Sequence, residues 1–203
     1  MAFLEKILVG KLLIKMRVIR GKFKNKKIFF PRNLKTRPLK DRVRESIFNI
    51  LEHSKKISVS LKSSNVLDLY SGSGSFGFES LSRYDSKVSF VEKDKDALIS
   101  LQSNIKTLNS KNNINLYAED VFNFFQRIDL KAKFDIIFVD PPYTDKNINN
   151  LLKLIKNKNI LKKNYIILIH IEKKISPDIL YKNFNVIERR VYGRSEIFFL
   201  RFF

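Results

Sequence analysis

Short apolar runs rich in β-formers alternate with segments of helical spacing through most of this chain, and that alternation constrains the fold more than any other feature. Residues 66–70, 88–91, 114–117 and 134–139 read as strands, and residues 78–83, 96–108 and 121–128 between them carry helical periodicity. Strand, helix and strand in repetition predict a parallel sheet with right-handed crossovers. Further on, residues 151–155 read as helical and residues 165–171 as a buried strand. Residues 184–192 and 197–202 read as a closing antiparallel hairpin across Gly193. Upstream, residues 17–19 and 27–30 are expected to pair as a basic hairpin around residues 21–26, followed by a helix over residues 41–51. The expected architecture is α/β, with a seven-stranded, mostly parallel sheet and a small N-terminal appendage. Its divisions are an extension (1–15), the hairpin and helix (16–60) and the main domain (61–203).

In open α/β sheets ligands bind beyond the carboxyl ends of the strands, so chemistry is expected where the apolar runs stop. The run 134–139 stops at Asp140-Pro141-Pro142-Tyr143. Asp140 offers a carboxylate, Pro141 a carbonyl without a competing N–H, and the proline pair stiffens the loop, while Tyr143 adds a flat ring. These groups suit a planar amino group: acceptors for its hydrogens and a surface on which its ring can stack. A plain proline turn after a strand is the competing account.

The run 66–70 leads into Ser71-Gly72-Ser73-Gly74-Ser75-Phe76-Gly77, a Gly-x-Gly-x-x-Gly array where a helix begins. Glu92 ends the next strand 20 residues after Gly72, the place from which an acidic side chain accepts hydrogen bonds from ribose hydroxyls. A nucleoside cofactor is therefore expected. A dinucleotide fits the same spacing, although more than 60 residues precede the array and the proline loop has no role in hydride transfer. Methyl transfer uses both segments. Asp120, after the third strand, could hold an adenine amino group or cap the helix that starts at Val121.

Taken together, these motifs resemble class I S-adenosylmethionine-dependent methyltransferases, specifically the RsmD family of 16S rRNA guanine-N2 methyltransferases. The likeness runs from Met16 almost to the end of the chain. It includes Met16-Arg17-Val18-Ile19-Arg20-Gly21-Lys22-Phe23, Thr36-Arg37-Pro38, Asp41-Arg42-Val43-Arg44-Glu45-Ser46-Ile47-Phe48-Asn49 and Tyr192-Gly193, besides the glycine and proline loops. The N-terminal segments are the more specific part, and Arg20 stands where the family often has a small residue. The resemblance implies a Rossmann-like fold and S-adenosylmethionine held by Asp68, Tyr70, Ser71, Gly72, Gly74, Glu92, Lys93, Asp120 and Val121. It implies a catalytic loop of Asp140, Pro141, Pro142 and Tyr143. For RNA it points to Arg17, Arg20, Lys22, Lys24, Arg37, Arg42 and Arg194. The implied partner is 16S rRNA in an assembling small subunit, bound by a cytoplasmic monomer without metal or membrane attachment. A DNA or protein amino-methyltransferase, or a non-catalytic RNA-binding protein on the same fold, are the alternatives.

Charge and cysteine usage agree. The 203 residues carry 40 Lys and Arg against 20 acids, a net charge of +20, which predicts a polyanionic partner. Residues 15–44 hold 13 of the basic residues against one acid, Asp41, with Phe23, Phe29 and Phe30 interleaved. Cysteine is absent, which excludes disulfides, thiolate metal sites, the cysteine-activated route to pyrimidine carbon methylation and iron–sulfur radical chemistry. Transfer to an exocyclic nitrogen needs none of these. His53 and His170 are too few and too separated to suggest a metal site or a triad, and each reads as structural or superficial. The first fifteen residues contain no apolar run of signal-peptide length, and no stretch matches the ~20 apolar residues of a membrane span.

Overall fold

The computed structural model describes residues 12–31, 39–127, 133–142, 147–173 and 184–203. Among these residues nine strands form two sheets. The small sheet pairs β1 (Leu12–Arg17) with β2 (Lys27–Pro31), antiparallel. The large sheet contains β3 (Asn65–Leu69), β4 (Lys87–Glu92), β5 (Ile114–Ala118), β6 (Phe134–Val139), β7 (Leu161–Glu172), β8 (Phe184–Tyr192) and β9 (Ser195–Phe202). Their spatial order is β5-β4-β3-β6-β7-β9-β8. The five strands from β5 to β7 are parallel; β9 runs antiparallel between β7 and β8. The expected seven-stranded sheet is thus present, and the C-terminal hairpin supplies its edge.

The central strands β3, β4, β6 and β7 alternate their side chains between two apolar layers, as the two-residue period requires. Val66, Phe90, Ile136, Phe138 and Leu168 face one layer, under α1 (Asp41–His53), α2 (Ser75–Tyr84) and α3 (Lys95–Leu108). Leu67, Leu69, Val91, Ile137 and Ile169 face the other, under α4 (Val121–Arg127) and α5 (Ile148–Asn157). Because both faces are covered, the central strands are apolar throughout: every residue of β6 is buried. In α5, Ile148, Leu151, Leu152 and Ile155 are buried, the i, i+3, i+4, i+7 stripe that drives a surface helix onto a sheet.

Several boundaries differ from the sequence reading, each for a local reason. The first hairpin strand is Leu12–Arg17, not residues 17–19, and so begins within the first fifteen residues. Beyond Arg17 the chain leaves the ladder because the Ile19 and Arg20 amides donate to the Glu79 carboxylate of α2, at 2.8 and 3.0 Å. Helix α2 starts at Ser75 instead of residue 78, with Gly74 at its N-cap in a left-handed conformation, φ 80°. Gly77 therefore lies inside the helix. A Cβ there would stand 2.3 Å from the Phe90 ring, so this glycine serves helix-to-strand packing. Strand β7 begins at Leu161, earlier than the apolar run suggests, its polar start being drawn in by pairing with Phe134.

The N-terminal hairpin is fastened to the main domain by polar contacts. Gly21, φ 87°, passes so close to α2 that a Cβ would lie 2.0 Å from the Ser82 carbonyl oxygen. The Lys22 amide donates to that oxygen at 2.9 Å, and the Ser82 hydroxyl donates to the Arg20 carbonyl at 2.6 Å. Arg44, fully buried on α1, donates to the Arg17 carbonyl at 2.6 Å and lies 3.7 Å from Glu79. Glu79 also accepts from Arg83 at 2.7 Å, so one buried carboxylate ties together β1, α1 and α2. Asn104 of α3 donates to the carbonyls of Phe29 and Ser73 at 2.9 and 3.0 Å, joining β2 to the glycine loop.

Candidate functional site

The sheet reverses its winding between β3 and β6: β3 leads through α2 to β4 on one side, and β6 returns to lie on the other side of β3. Chains diverge there and leave a crevice at the carboxyl ends of the strands. A cavity of about 750 Å³ occupies it. That volume lies within the ~300–1,000 Å³ typical of small-molecule sites. The ends of β3, β4, β6 and β7 all contribute to its lining.

On the glycine-loop side, Tyr70 and Gly72 take left-handed backbone conformations, φ 56° and 55°. That conformation is uncommon for a bulky residue, and local strain of this kind concentrates in ligand loops. The loop is held by Ser71, whose hydroxyl donates to the Asp68 carbonyl at 2.5 Å while its amide donates to Val91 at 3.1 Å. The Gly72 amide donates to Glu92 at 2.7 Å, and the amides of Lys93 and Asp94 donate to its second oxygen, both at 2.8 Å. Three of the roughly four acceptor positions of this carboxylate are filled by backbone, so it is rigidly aimed and retains capacity for about one further donor.

Asp68 is 1% exposed and accepts from the Gly77 amide at 3.0 Å. Burial pushes its carboxyl well above the usual carboxylate range; the Gly77 hydrogen bond opposes the shift, and the nearby charges of Asp140 and Glu92 add to it. Asp120 behaves differently. Burial would raise it, but the hydrogen bond from Lys93 at 2.8 Å and that from the Phe122 amide at 2.8 Å hold its carboxyl below the ordinary value. Its capping of α4 through Phe122 is the structural role that its position before Val121 suggests.

Of the residues expected at the cofactor site, Asp68, Tyr70, Ser71, Gly72, Glu92, Lys93 and Val121 line the cavity together. Gly74 and Asp120 do not. Gly74 is left-handed, φ 80°, and a Cβ there would meet Leu101 at 2.5 Å and Phe78 at 2.6 Å, so turn shape and packing against α3 together account for that glycine. On the opposite wall stand Asp140, Pro141 and Pro142; Tyr143 lies outside the described residues. Six carboxylates line the cavity, Asp68, Glu92, Asp94, Glu119, Asp140 and Glu172, against Lys93 and Arg194. In a chain of net charge +20, this is a local reversal of sign that favours a cationic ligand.

His170, read from the sequence as structural or superficial, is buried beside the proline loop. It lines the cavity, is 6% exposed, and its Nδ1 lies 2.8 Å from Asp140 Oδ1. Register explains the meeting: Val139 pairs with Ile169 across β6 and β7, so the next residues along, Asp140 and His170, stand side by side. The signal was available, since His170 interrupts an apolar run near the carboxyl end of a strand. His53 is exposed, as expected. Among the described residues no cluster of three or more metal-ligating side chains occurs, and no helix is long and apolar enough to cross a membrane.

The expected RNA contacts divide into two groups. Arg17, Lys24 and Arg42 are exposed on the hairpin and α1, and exposed Arg194 sits at the cavity's edge. Arg20 pairs with Glu45 at 3.4 Å, and Lys22 pairs with Asp85. Arg37 lies outside the described residues. Two of the three interleaved aromatics face inward: Phe30 is buried and lines the cavity, and Phe23 packs against the core, while Phe29 is half-buried. Arg44 is likewise removed from the surface charge.

The profile of a family described as conserved hypothetical protein 95 matches residues 16–201. The ribosomal RNA small subunit methyltransferase D of Buchnera aphidicola subsp. Acyrthosiphon pisum is 32% identical over 184 residues, covering 91% of this chain and 92% of that protein. The enzyme of the same name from Haemophilus influenzae is 31% identical over 179 residues, covering 88% and 89%. Among solved structures, that of the Escherichia coli protein yhhF superposes with a TM-score of 0.78 at 26% identity, covering 93% of this chain and 98% of that one.

Proposed function

The chain belongs to the family described as conserved hypothetical protein 95, that of the small-subunit rRNA methyltransferases D, and from this premise we propose that it methylates the exocyclic N2 amino group of a guanine in 16S rRNA. It is a methyltransferase of the small-subunit rRNA type, and its cofactor is S-adenosylmethionine. The observation that carries the finer reading is the meeting, in one cavity, of the carboxylates of the glycine-loop wall with the Asp140-Pro141-Pro142 wall. In this reading the protein acts as a monomer on the assembling small subunit.

The lining fits this cofactor. Asp68, held above the usual carboxylate range by burial and by its acidic neighbours, is in surroundings that a bound cation would relieve. Glu92, fixed by three amides, would take a ribose hydroxyl, and Tyr70, Ser71, Gly72, Lys93 and Val121 would complete the nucleoside site. Gly74 and Asp120 would act from behind it, through loop shape and the α4 cap. When bound, S-adenosylmethionine supplies a methyl group activated by a positively charged sulfur.

The remaining work falls to the chain's own groups, and most of it is positioning. An exocyclic amine is a weak nucleophile because its lone pair is delocalised into the ring. The Asp140 carboxylate and the Pro141 carbonyl would accept its hydrogens and favour a pyramidal nitrogen; Pro142 stiffens the loop, and Tyr143 would stack on the extruded base. Holding the amine in near-attack geometry supplies several kcal/mol, on the order of ~7 or more in well-oriented systems. As the amine becomes cationic, Asp140 stabilises the charge and is the nearest acceptor for the proton it gives up. Arg17, Arg20, Lys22, Lys24, Arg37, Arg42 and Arg194 would neutralise phosphates around the cavity.

A transfer assay tests this. With S-adenosylmethionine labelled in its methyl group, label is expected in 16S rRNA or small-subunit particles from a strain lacking the activity, and digestion should release N2-methylguanosine. Label in DNA or protein, or at another atom of the base, would replace the reading.

A further inference from the structure

We propose that His170 is a positioning residue for the reaction, acting through Asp140. This rests on the amine-methylation reading above and adds to it the group that fixes the accepting carboxylate. Asp140 begins a loop, and a carboxylate at such a place turns freely about its side-chain bonds unless something holds it. Among the described residues the holding group is His170: Nδ1 stands 2.8 Å from Asp140 Oδ1. A carboxylate only accepts, so the ring nitrogen facing it carries the hydrogen. Of the two ring tautomers, this contact selects the one with its hydrogen on Nδ1. Asp140 Oδ1 is occupied, and Oδ2 is left for the hydrogen of the target amine.

Three further features support this role over a purely structural one. First, among the described residues the ring has one hydrogen-bond partner, Asp140, and its buried Nε2 meets no other. The Nδ1 contact to Asp140 is therefore the polar interaction that fixes the ring. Second, the ring is set on rigid elements. His170 lies in β7, paired with β6 on one side and, through Ile197, with β9 on the other. Third, both side chains line the same cavity, Asp140 with 22% of its side chain accessible and His170 almost covered. The exposed partner meets the substrate while the covered one holds it in place. A support of this type, sequestered behind the group it orients, is what a site needs to keep its geometry within the narrow limits that catalysis demands.

The test uses the intact protein and two variants. His170→Ala removes the donor; His170→Asn keeps an amide N–H near the position of Nδ1. Steady-state methyl transfer to 16S rRNA is expected to show kcat about tenfold or more below wild type for His170→Ala, with KM for S-adenosylmethionine and for RNA within about twofold. His170→Asn should recover at least about a third of the wild-type kcat. Unchanged kcat in His170→Ala, a loss confined to KM, or a folded His170→Asn as slow as His170→Ala would each overturn the proposal. A second measurement needs no RNA. The 15N spectrum of histidine-labelled protein, with exposed His53 as internal reference, should show His170 protonated at Nδ1 and should lose that preference in Asp140→Ala. A neutral His170 protonated at Nε2 in wild type would refute the pairing. Wild-type protein that labels no rRNA would sink the substrate reading, while the tautomer result would still decide the contact between the two side chains.

Discussion

The N-terminal hairpin and the cavity differ in both charge and burial, and they solve opposite electrostatic problems within one chain. Arg17 and Lys24 project from the hairpin into solvent, with Arg42 close by on α1, where water screens each charge and a phosphate can replace its counterion. In the cavity, Asp68 and Glu92 are withdrawn from water, and burial first, with the nearby charges of Asp140 and Glu92 adding to it, raises the Asp68 carboxyl. The first region attracts a polyanion from a distance. The second would reject that polyanion's phosphates and accept a cation. Under the proposed function, a chain of net charge +20 would thereby bind RNA without phosphate filling the cavity.

The two regions are also tied together. Asn104 bonds both Phe29 of β2 and Ser73 of the glycine loop, and Glu79 gathers β1, α1 and α2. They differ in function but share a rigid support.

Substitutions that strike one region and spare the other sharpen this contrast. The largest effect is expected for Asp140→Ala: turnover should fall by about 10²-fold or more, as for the loss of a group that stabilises developing charge. Affinity for S-adenosylmethionine, measured by calorimetry, should stay within about threefold. Lost affinity with normal turnover would move Asp140 to the cofactor side of the cavity.

Next comes the combined change of Arg17, Lys24 and Arg42 to alanine. Each lost phosphate contact flattens the dependence of log K on log salt by about 0.7 to 0.9, so the slope for RNA binding should become shallower by roughly 2 to 3. Cofactor affinity should not move. A slope equal to that of wild type would mean that the hairpin and α1 do not lie along the RNA.

The smallest effect, and the one that reaches stability, is that of Asp68→Asn. Because the folded state raises this carboxyl above its unfolded value of about 3.9, it binds the proton more tightly than the unfolded chain does. The stability so gained is complete below that unfolded value and is lost as pH rises through the folded one. Ligand-free protein should therefore melt at a lower temperature near pH 7.5 than near pH 5 on account of this group, and Asp68→Asn should reduce the difference. Affinity for the cofactor should drop about tenfold, the scale of one charged hydrogen bond. Parallel melting profiles for wild type and variant would show that Asp68 carries no such burden.

The fold was legible because its signals are local and repeated. Runs such as residues 66–70 and 134–139 declare buried strands through their own composition, and the helical stripes between them fix the parallel, doubly wound arrangement. Part of the candidate site was legible for the same reason. Asp68, Glu92 and Asp140 stand at strand ends, and in such a sheet all strand ends on one side open onto a single crevice.

What escaped the sequence depends on register and long-range pairing. The Ile19 and Arg20 amides turn away from the ladder because Glu79, some 60 residues later, offers a carboxylate. Phe23 and Phe30 are interleaved with lysines in the sequence, yet Phe30 is buried and Phe23 packs on the core.

The sequence by itself determined the sheet, the two loops at its carboxyl end and the concentration of positive charge near the N-terminus, because composition and period are properties of contiguous residues. The tertiary structure alone decided that Gly74 and Gly77 serve packing, that Arg44 is buried as an anchor and that His170 faces Asp140. Those outcomes turn on which residues, remote in the chain, arrive within hydrogen-bonding or contact distance, and only the alignment of neighbouring strands and the docking of helices upon them fix that.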